Sequence, residues 1–132
     1  MVPPPVAVAL TICEKLIVEE GTKHPSFISV FTKLRGRKFP ARSQPFHVFA
    51  AFLDGQGDGT IRLEIGRLDI GTKIYVKERL VHFPDRLTEV RVLFRVPPCE
   101  FPVPGVYQVT LFLDNEWMAH RYLHLRLLES ES

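Results

Sequence analysis

TIRLEIGRL (residues 60–68) is the stretch whose reading decides the fold class. Ile61, Leu63 and Ile65 fall at every second position with Arg62 and Glu64 between them, so an extended chain carries apolar side chains on one face and charges on the other. A half-buried antiparallel strand requires that arrangement. The pattern recurs in EVRVLFRV (89–96), where Val90, Val92, Phe94 and Val96 point inward, and in GVYQVTLFL (105–113), where Tyr107, Val109, Leu111 and Leu113 do. Strands are expected at 6–13, 26–34, 45–53, 60–68, 73–81, 87–96, 105–113 and 117–127, separated by turn residues at short intervals. No window of helical length carries an i, i+3, i+4, i+7 stripe. CEKLIVEE (13–20) tempts a helix, but it is short and β-branched and reads as a continuation of the first strand. The fold class is therefore all-β, an immunoglobulin-like antiparallel β-sandwich of about eight strands in one domain, with flexible ends at about 1–4 and 128–132.

Composition agrees. A chain of 132 residues buries roughly two thirds of its unfolded surface and needs no staple. Eleven prolines favour many strand-to-loop boundaries, because proline withholds a donor from the hydrogen-bond ladder. The net charge of +2 is too balanced to point to nucleic acid or a membrane surface. Cys13 and Cys99 have neither CxxC nor zinc-ligand spacing and read as two unpaired thiols, with a disulfide between them as the alternative. MVPPP lacks a basic leader, the apolar run VAVALTI is short, and no stretch approaches the roughly 18 residues of a membrane helix. A cytoplasmic setting is the expectation.

FLDGQGDGTI (52–61) raises the question of a cation loop. Asp54, Gln56, Asp58 and Gly59 match the first half of an EF-hand, but the closing bidentate acid would be Ile65, and the flanks are strands. A glycine-rich hairpin loop is the expectation. If consecutive strands run antiparallel, alternate connections meet at the same end. Loops 14–25, 54–59, 82–86 and 114–116 would then gather Glu19, Glu20, Asp54, Asp58, Asp85, Asp114 and Glu116 at one tip. Loops 35–44, 69–72 and 97–104 would form a basic opposite tip. Lys33, Arg35, Arg37, Lys38 and Arg42 put five cations within ten residues, a candidate site for an anion or an acidic partner, with Phe39 as a stacking surface.

Other constellations fail on geometry. His120 and His124 share a face of a strand but lie about 13 Å apart, too far for one metal. No G-x-S-x-G elbow or Cys-His pairing is readable, and the glycines at 55, 57 and 59 lead into a strand, where no helix N-terminus can hold a phosphate. Trp117 and Met118 are expected to close the end of the core, with an interface role as the alternative.

TICEKLIVEEGTKHPSFISVFTKLRGRKFP (11–40) resembles the opening of a family of short bacterial β-sandwich proteins of uncharacterised function. Cys13-Glu14, Gly21-Thr22-Lys23, Ser29-Val30-Phe31 and Phe39-Pro40 carry the likeness. PGVYQVTLFLDNEWMAHRYLHL (104–125), through Pro104-Gly105 and Tyr107, is similar to that family's closing hairpin and to the last strand pair of immunoglobulin-like domains. The resemblance implies a sandwich with a tyrosine bonded at a corner and a bacterial cytosolic setting. It implies no catalytic residue. The expected function is a non-enzymatic binding or accessory module with a protein partner, a second copy included, and no cofactor or metal. The alternatives are a ligand-binding module, for calcium at the acidic tip or a polyanion at the basic one, and an enzyme whose site cannot be read from residue order.

Overall fold

The computed structural model describes residues 4–128, so the ends expected to be flexible lie outside it apart from Pro4 and Leu128. Eleven strands and no helix occur among the described residues: β1 (Val6–Val18), β2 (Pro25–Val30), β3 (Lys33–Gly36), β4 (Ala41–Arg42), β5 (Phe46–Leu53), β6 (Gly57–Arg67), β7 (Lys73–Phe83), β8 (Val90–Val96), β9 (Glu100–Phe101), β10 (Gly105–Leu113) and β11 (Glu116–Leu127). One sheet has the order β2-β1-β5-β8 and the other β3-β11-β10-β6-β7, with β4 and β9 as a short separate pair. Every pairing is antiparallel except that of β3 with β11. The two sheets bury one shared core, so the chain is an all-β sandwich.

Alternation placed that core. Ile61, Leu63 and Ile65 are fully buried, while Arg62 and Glu64 on the other face of β6 bond each other at 2.6 Å. Val92, Phe94 and Val96 are buried and Val90 packs partly against them. On β10, Tyr107, Val109, Leu111 and Leu113 all face the core. The Tyr107 hydroxyl donates to the Val103 carbonyl at 2.7 Å and accepts from the Val103 amide at 3.3 Å, the corner bond expected of that tyrosine.

The count of eight strands is corrected to eleven, and the most consequential change falls in 26–34. That segment is two strands of opposite direction in different sheets. β2 runs antiparallel to β1, the chain crosses between the sheets at Phe31 and Thr32, and β3 runs parallel to β11. Backbone bonds fix the crossing: the Phe31 amide donates to the Ile12 carbonyl at 3.0 Å and the His124 amide to the Thr32 carbonyl at 2.8 Å. The extra reversal changes the parity of the first connection. β1 starts opposite Leu53 and passes His47 on its way out, so the 19–24 turn projects from the basic end and Glu19 and Glu20 do not join the acidic tip. Further along, β8 begins at Val90 rather than at 87, because the Asp85 carboxylate accepts the amides of Leu87 and Thr88 and holds them in a turn.

Residues 54–56 are likewise no hairpin, since β5 and β6 belong to different sheets. The connection turns the chain over the end of the core, and Gly55 is required there: a Cβ at that position would lie 2.3 Å from the Phe83 ring. The true two-residue hairpin is Asp114-Asn115 between β10 and β11, where φ is 49° and 67° as a type I′ turn demands.

Candidate functional site

The ribbon made by the outer halves of β1 and β2 is thinly covered. β1 pairs with β5 only as far as Cys13, so from Lys15 to Val18 its sole partner is β2. Cross-strand partners Lys15 and Ile28, Leu16 and Phe27, Ile17 and Ser26, and Val18 and Pro25 alternate between its two faces. Phe27 curls back so that its ring lies 5.0 Å from that of Phe49, which is consequently 8% exposed although it lies outside the sandwich core. Ile17 and Ile28 share the opposite face and are 53% and 40% exposed. A two-stranded ribbon is marginally stable alone, so such exposure is costly unless something covers it.

At the root of the ribbon a cavity of 560 Å³ opens between the sheets at the basic end. Phe46, Phe101 and Leu125, all buried, form its floor together with the half-buried Phe31 and Leu34. Lys15, Arg35, Arg42 and Glu14 supply its charge, and Ser43 and Gln44 add polar groups. The five candidate cations therefore divide. Arg35 on β3 and Arg42 on β4 line the cavity; Lys33, Arg37 and Lys38 do not. Phe39 packs partly against the core and is not a stacking platform.

Cys99 lies next to this wall. The Ser43 hydroxyl accepts the Cys99 amide at 3.1 Å and sits 3.6 Å from its sulfur. Burial raises the Cys99 thiol above its ordinary pKa, with the Ser43 contact opposing, and burial likewise raises the thiol of Cys13. Burial, then the nearby Cys99, raises Tyr75. Both thiols are free, buried and unpaired with each other.

At the other end three loops gather as expected and enclose a smaller recess of 190 Å³ lined by Asp54, Asp58 and Asp114. Protein donors occupy two of these carboxylates: Asp114 accepts the Thr60 amide at 2.9 Å, and Asp58 meets His82 at 2.7 Å. Asp54 stands 3.8 Å from Arg86. Among the described residues no group of three or more His, Cys, Asp or Glu side chains is placed to hold a metal ion.

Trp117 does not close the core. A bulge in the β10–β11 ladder after Leu111 turns it outward, 57% exposed, where it stacks on His120 at 5.0 Å, and His120 in turn meets Tyr122 edge-on at 5.1 Å. Met118 packs partly against the core instead. His124 pairs in register with Val106 and with Lys33, two positions beyond Tyr122 on the outward face.

Residues 8–126 match a family of unknown function, DUF6941. The chain belongs to that family. No curated protein matches it. The DUF6941 match spans the sandwich from β1 to near the end of β11 and so includes both the ribbon and the basic-end cavity. An uncharacterised family was the expectation from residues 11–40 and 104–125, and the match agrees with it. No helix of the described residues is long and apolar enough to cross a membrane.

Proposed function

We propose that the protein is a non-enzymatic binding module for a protein partner, with a second copy of the chain as the first candidate, and that the β1–β2 ribbon is its recognition element. The observation that carries this is the contrast among the four edges of the two large sheets. β3 carries Lys33 and Arg35, β7 carries Lys73, Lys77, Glu78 and Arg79, and β8 carries Arg91 and Arg95. Charges of this kind keep an edge from pairing with another chain. β2 (PSFISV) has none, guarded only by Pro25 and by a bend at Ser29, whose φ is 57°, while the uncharged stretch of β1 beyond the end of β2 (Val6–Ile12) has its Leu10 carbonyl bonded by Arg121 at 2.8 Å. In an isologous contact every residue near the two-fold axis meets its own copy, so an uncharged edge with exposed apolar neighbours suits self-association.

Sedimentation velocity across a micromolar-to-millimolar range tests this. A concentration-dependent dimer is expected, and Ile28→Lys and Ile17→Lys should each return it to monomer with little change in melting temperature, since both side chains are exposed. A wild-type chain that stays monomeric throughout eliminates self-association. Pull-down with the wild type and with Ile28→Lys then examines a foreign partner, and capture that ignores the substitution would end the ribbon's role.

Three further elements belong to the same reading. The parallel pairing of β3 with β11 and the Tyr107 corner favour an immunoglobulin-like topology, with β2 as an added ribbon. Two buried, unpaired thiols suit a reducing compartment, which favours the cytosol. The bacterial setting rests on the resemblance of residues 11–40 and 104–125.

A further inference from the structure

We infer that the basic-end cavity is a binding site for a small amphiphilic anion, a carboxylate or phosphate monoester bearing an apolar body. Its volume of 560 Å³ falls within the ~300–1,000 Å³ range of small-molecule pockets. The floor is an extension of the core itself: Phe46, Phe101 and Leu125 are 2%, 1% and 3% exposed, and all three line the cavity. Such a floor rewards an apolar body and offers nothing to an inorganic ion, which would lose hydration without compensation. The rim supplies the other half. Arg35 and Arg42 reach it from two strands that are not paired with each other, and neither makes a hydrogen bond or ion pair with a side chain among the described residues. Guanidinium forks match carboxylate and phosphate geometry bidentately, so two arginines in the lining of one cavity suit a single anionic head.

Charge count limits the ligand. Lys15, Arg35 and Arg42 face one carboxylate, that of Glu14, which favours a head of one or two negative charges over a long polyanion. Lys33, Arg37 and Lys38 lie outside the lining, so the cation run divides into a site and a solvated surface. The Ser43 hydroxyl is already held by the Cys99 amide and serves the wall rather than the ligand.

Calorimetric titration and amide chemical-shift mapping with octanoate and octyl phosphate test the inference, with octanol as a body lacking the charge and acetate as a head lacking the body. The two anionic probes distinguish a carboxylate from a phosphate source, and binding of either supports the site. Octanol and acetate should each bind at least about tenfold more weakly, a difference of about 1.4 kcal/mol or more. Arg35→Glu and Arg42→Glu should each weaken the better probe by about tenfold or more, while the triple reversal of Lys33, Arg37 and Lys38 to Glu should leave it within about threefold. Shifts should cluster on the lining residues within 14–15, 31–35 and 41–46 together with Phe101 and Leu125. Equal affinity for octanol, loss of binding in the triple reversal, or shifts centred elsewhere would overturn the proposal. If the single variants fail to fold, wild-type shift mapping still decides, and amides of the lining that do not move at high probe concentration refute it.

Discussion

Replacing Tyr107 with phenylalanine removes one oxygen from the corner before β10 and leaves everything else in place. The ring is fully buried and stands edge-on to Phe101 with centroids 4.9 Å apart, a contact that phenylalanine preserves. The change falls on two hydrogen bonds to Val103, a strong one at 2.7 Å to its carbonyl and a weaker one at 3.3 Å from its amide. A net hydrogen bond contributes about 1 kcal/mol, and stranding a partner that is half-buried adds part of a 1–3 kcal/mol desolvation cost, so Tyr107→Phe should cost about 2 kcal/mol. For a domain of this size that is a fall of about 8 °C in melting temperature. In urea the midpoint should drop by about 1 M with an unchanged slope. Tyr122→Phe is the control, because that side chain is exposed on the outer face of β11 and should shift nothing. A Tyr107→Phe midpoint within about 0.3 M of wild type would show that the corner bond does not hold the β9–β10 connection and refute the reasoning.

Other perturbations follow from the same geometry. Gly55→Ala should destabilise by about 1–3 kcal/mol through overpacking, since its Cβ would lie 2.3 Å from the Phe83 ring, and Phe83→Leu should restore part of the loss in a urea double-mutant cycle. Cys13 and Cys99, both buried with raised pKa, should resist a thiol reagent in the native protein and react as two equivalents once urea unfolds it; prompt native reactivity of either would contradict the burial. Asp85 is held below the ordinary carboxylate range, first by the Thr88 hydroxyl and then by the Leu87 amide, so its folded form releases the proton more readily than its unfolded form. The stability it contributes is complete above the ordinary range near pH 4 and drains away as pH falls through the depressed folded value. Asp85→Asn should therefore flatten that part of the acid limb of a stability-versus-pH curve, and an unaltered limb would count against the turn.

The sheet cores were legible and the crossing between sheets was not, for a physical reason. Ile61, Leu63 and Ile65 announce their face because burial on one side and water on the other are local facts of a strand. In 26–34 the apolar residues Phe27, Ile28, Val30, Phe31 and Leu34 are interrupted only by Ser29, Thr32 and Lys33, with neither glycine nor proline among them, so the sequence does not mark where the chain changes sheets. The change is written in the bonds from Phe31 to Ile12 and from Thr32 to His124, which join residues far apart in sequence. The candidate cations show the same limit. Five charges in ten residues were visible, but the division of Arg35 and Arg42 from Lys33, Arg37 and Lys38 depends on β4 finding β9, a two-residue pairing with no pattern of its own. The ribbon could have been suspected from LIV at 16–18, where apolar side chains fall on both faces of a strand that outruns its neighbour β5.

Two arginines support the proposal that recognition sits at the ribbon and the basic end, rather than along the flanks of the sandwich. Arg121 on β11 donates to the Leu10 carbonyl of β1 at 2.8 Å, and Arg79 on β7 donates to the Leu93 carbonyl of β8, its guanidinium lying over the Phe94 ring. Each spans from one sheet to an edge strand of the other, or to the stretch of β1 left uncovered where β2 ends, so each satisfies a carbonyl that an incoming strand would use. A charge-assisted bond to an edge carbonyl is stronger than a neutral one, and an approaching strand would have to displace it before forming its own ladder. At each flank, strand addition would have to break such a bond first. β2 has no such guard, and the basic-end cavity opens where the sheets part company at its root, which leaves these two neighbouring features for the proposed partner and ligand.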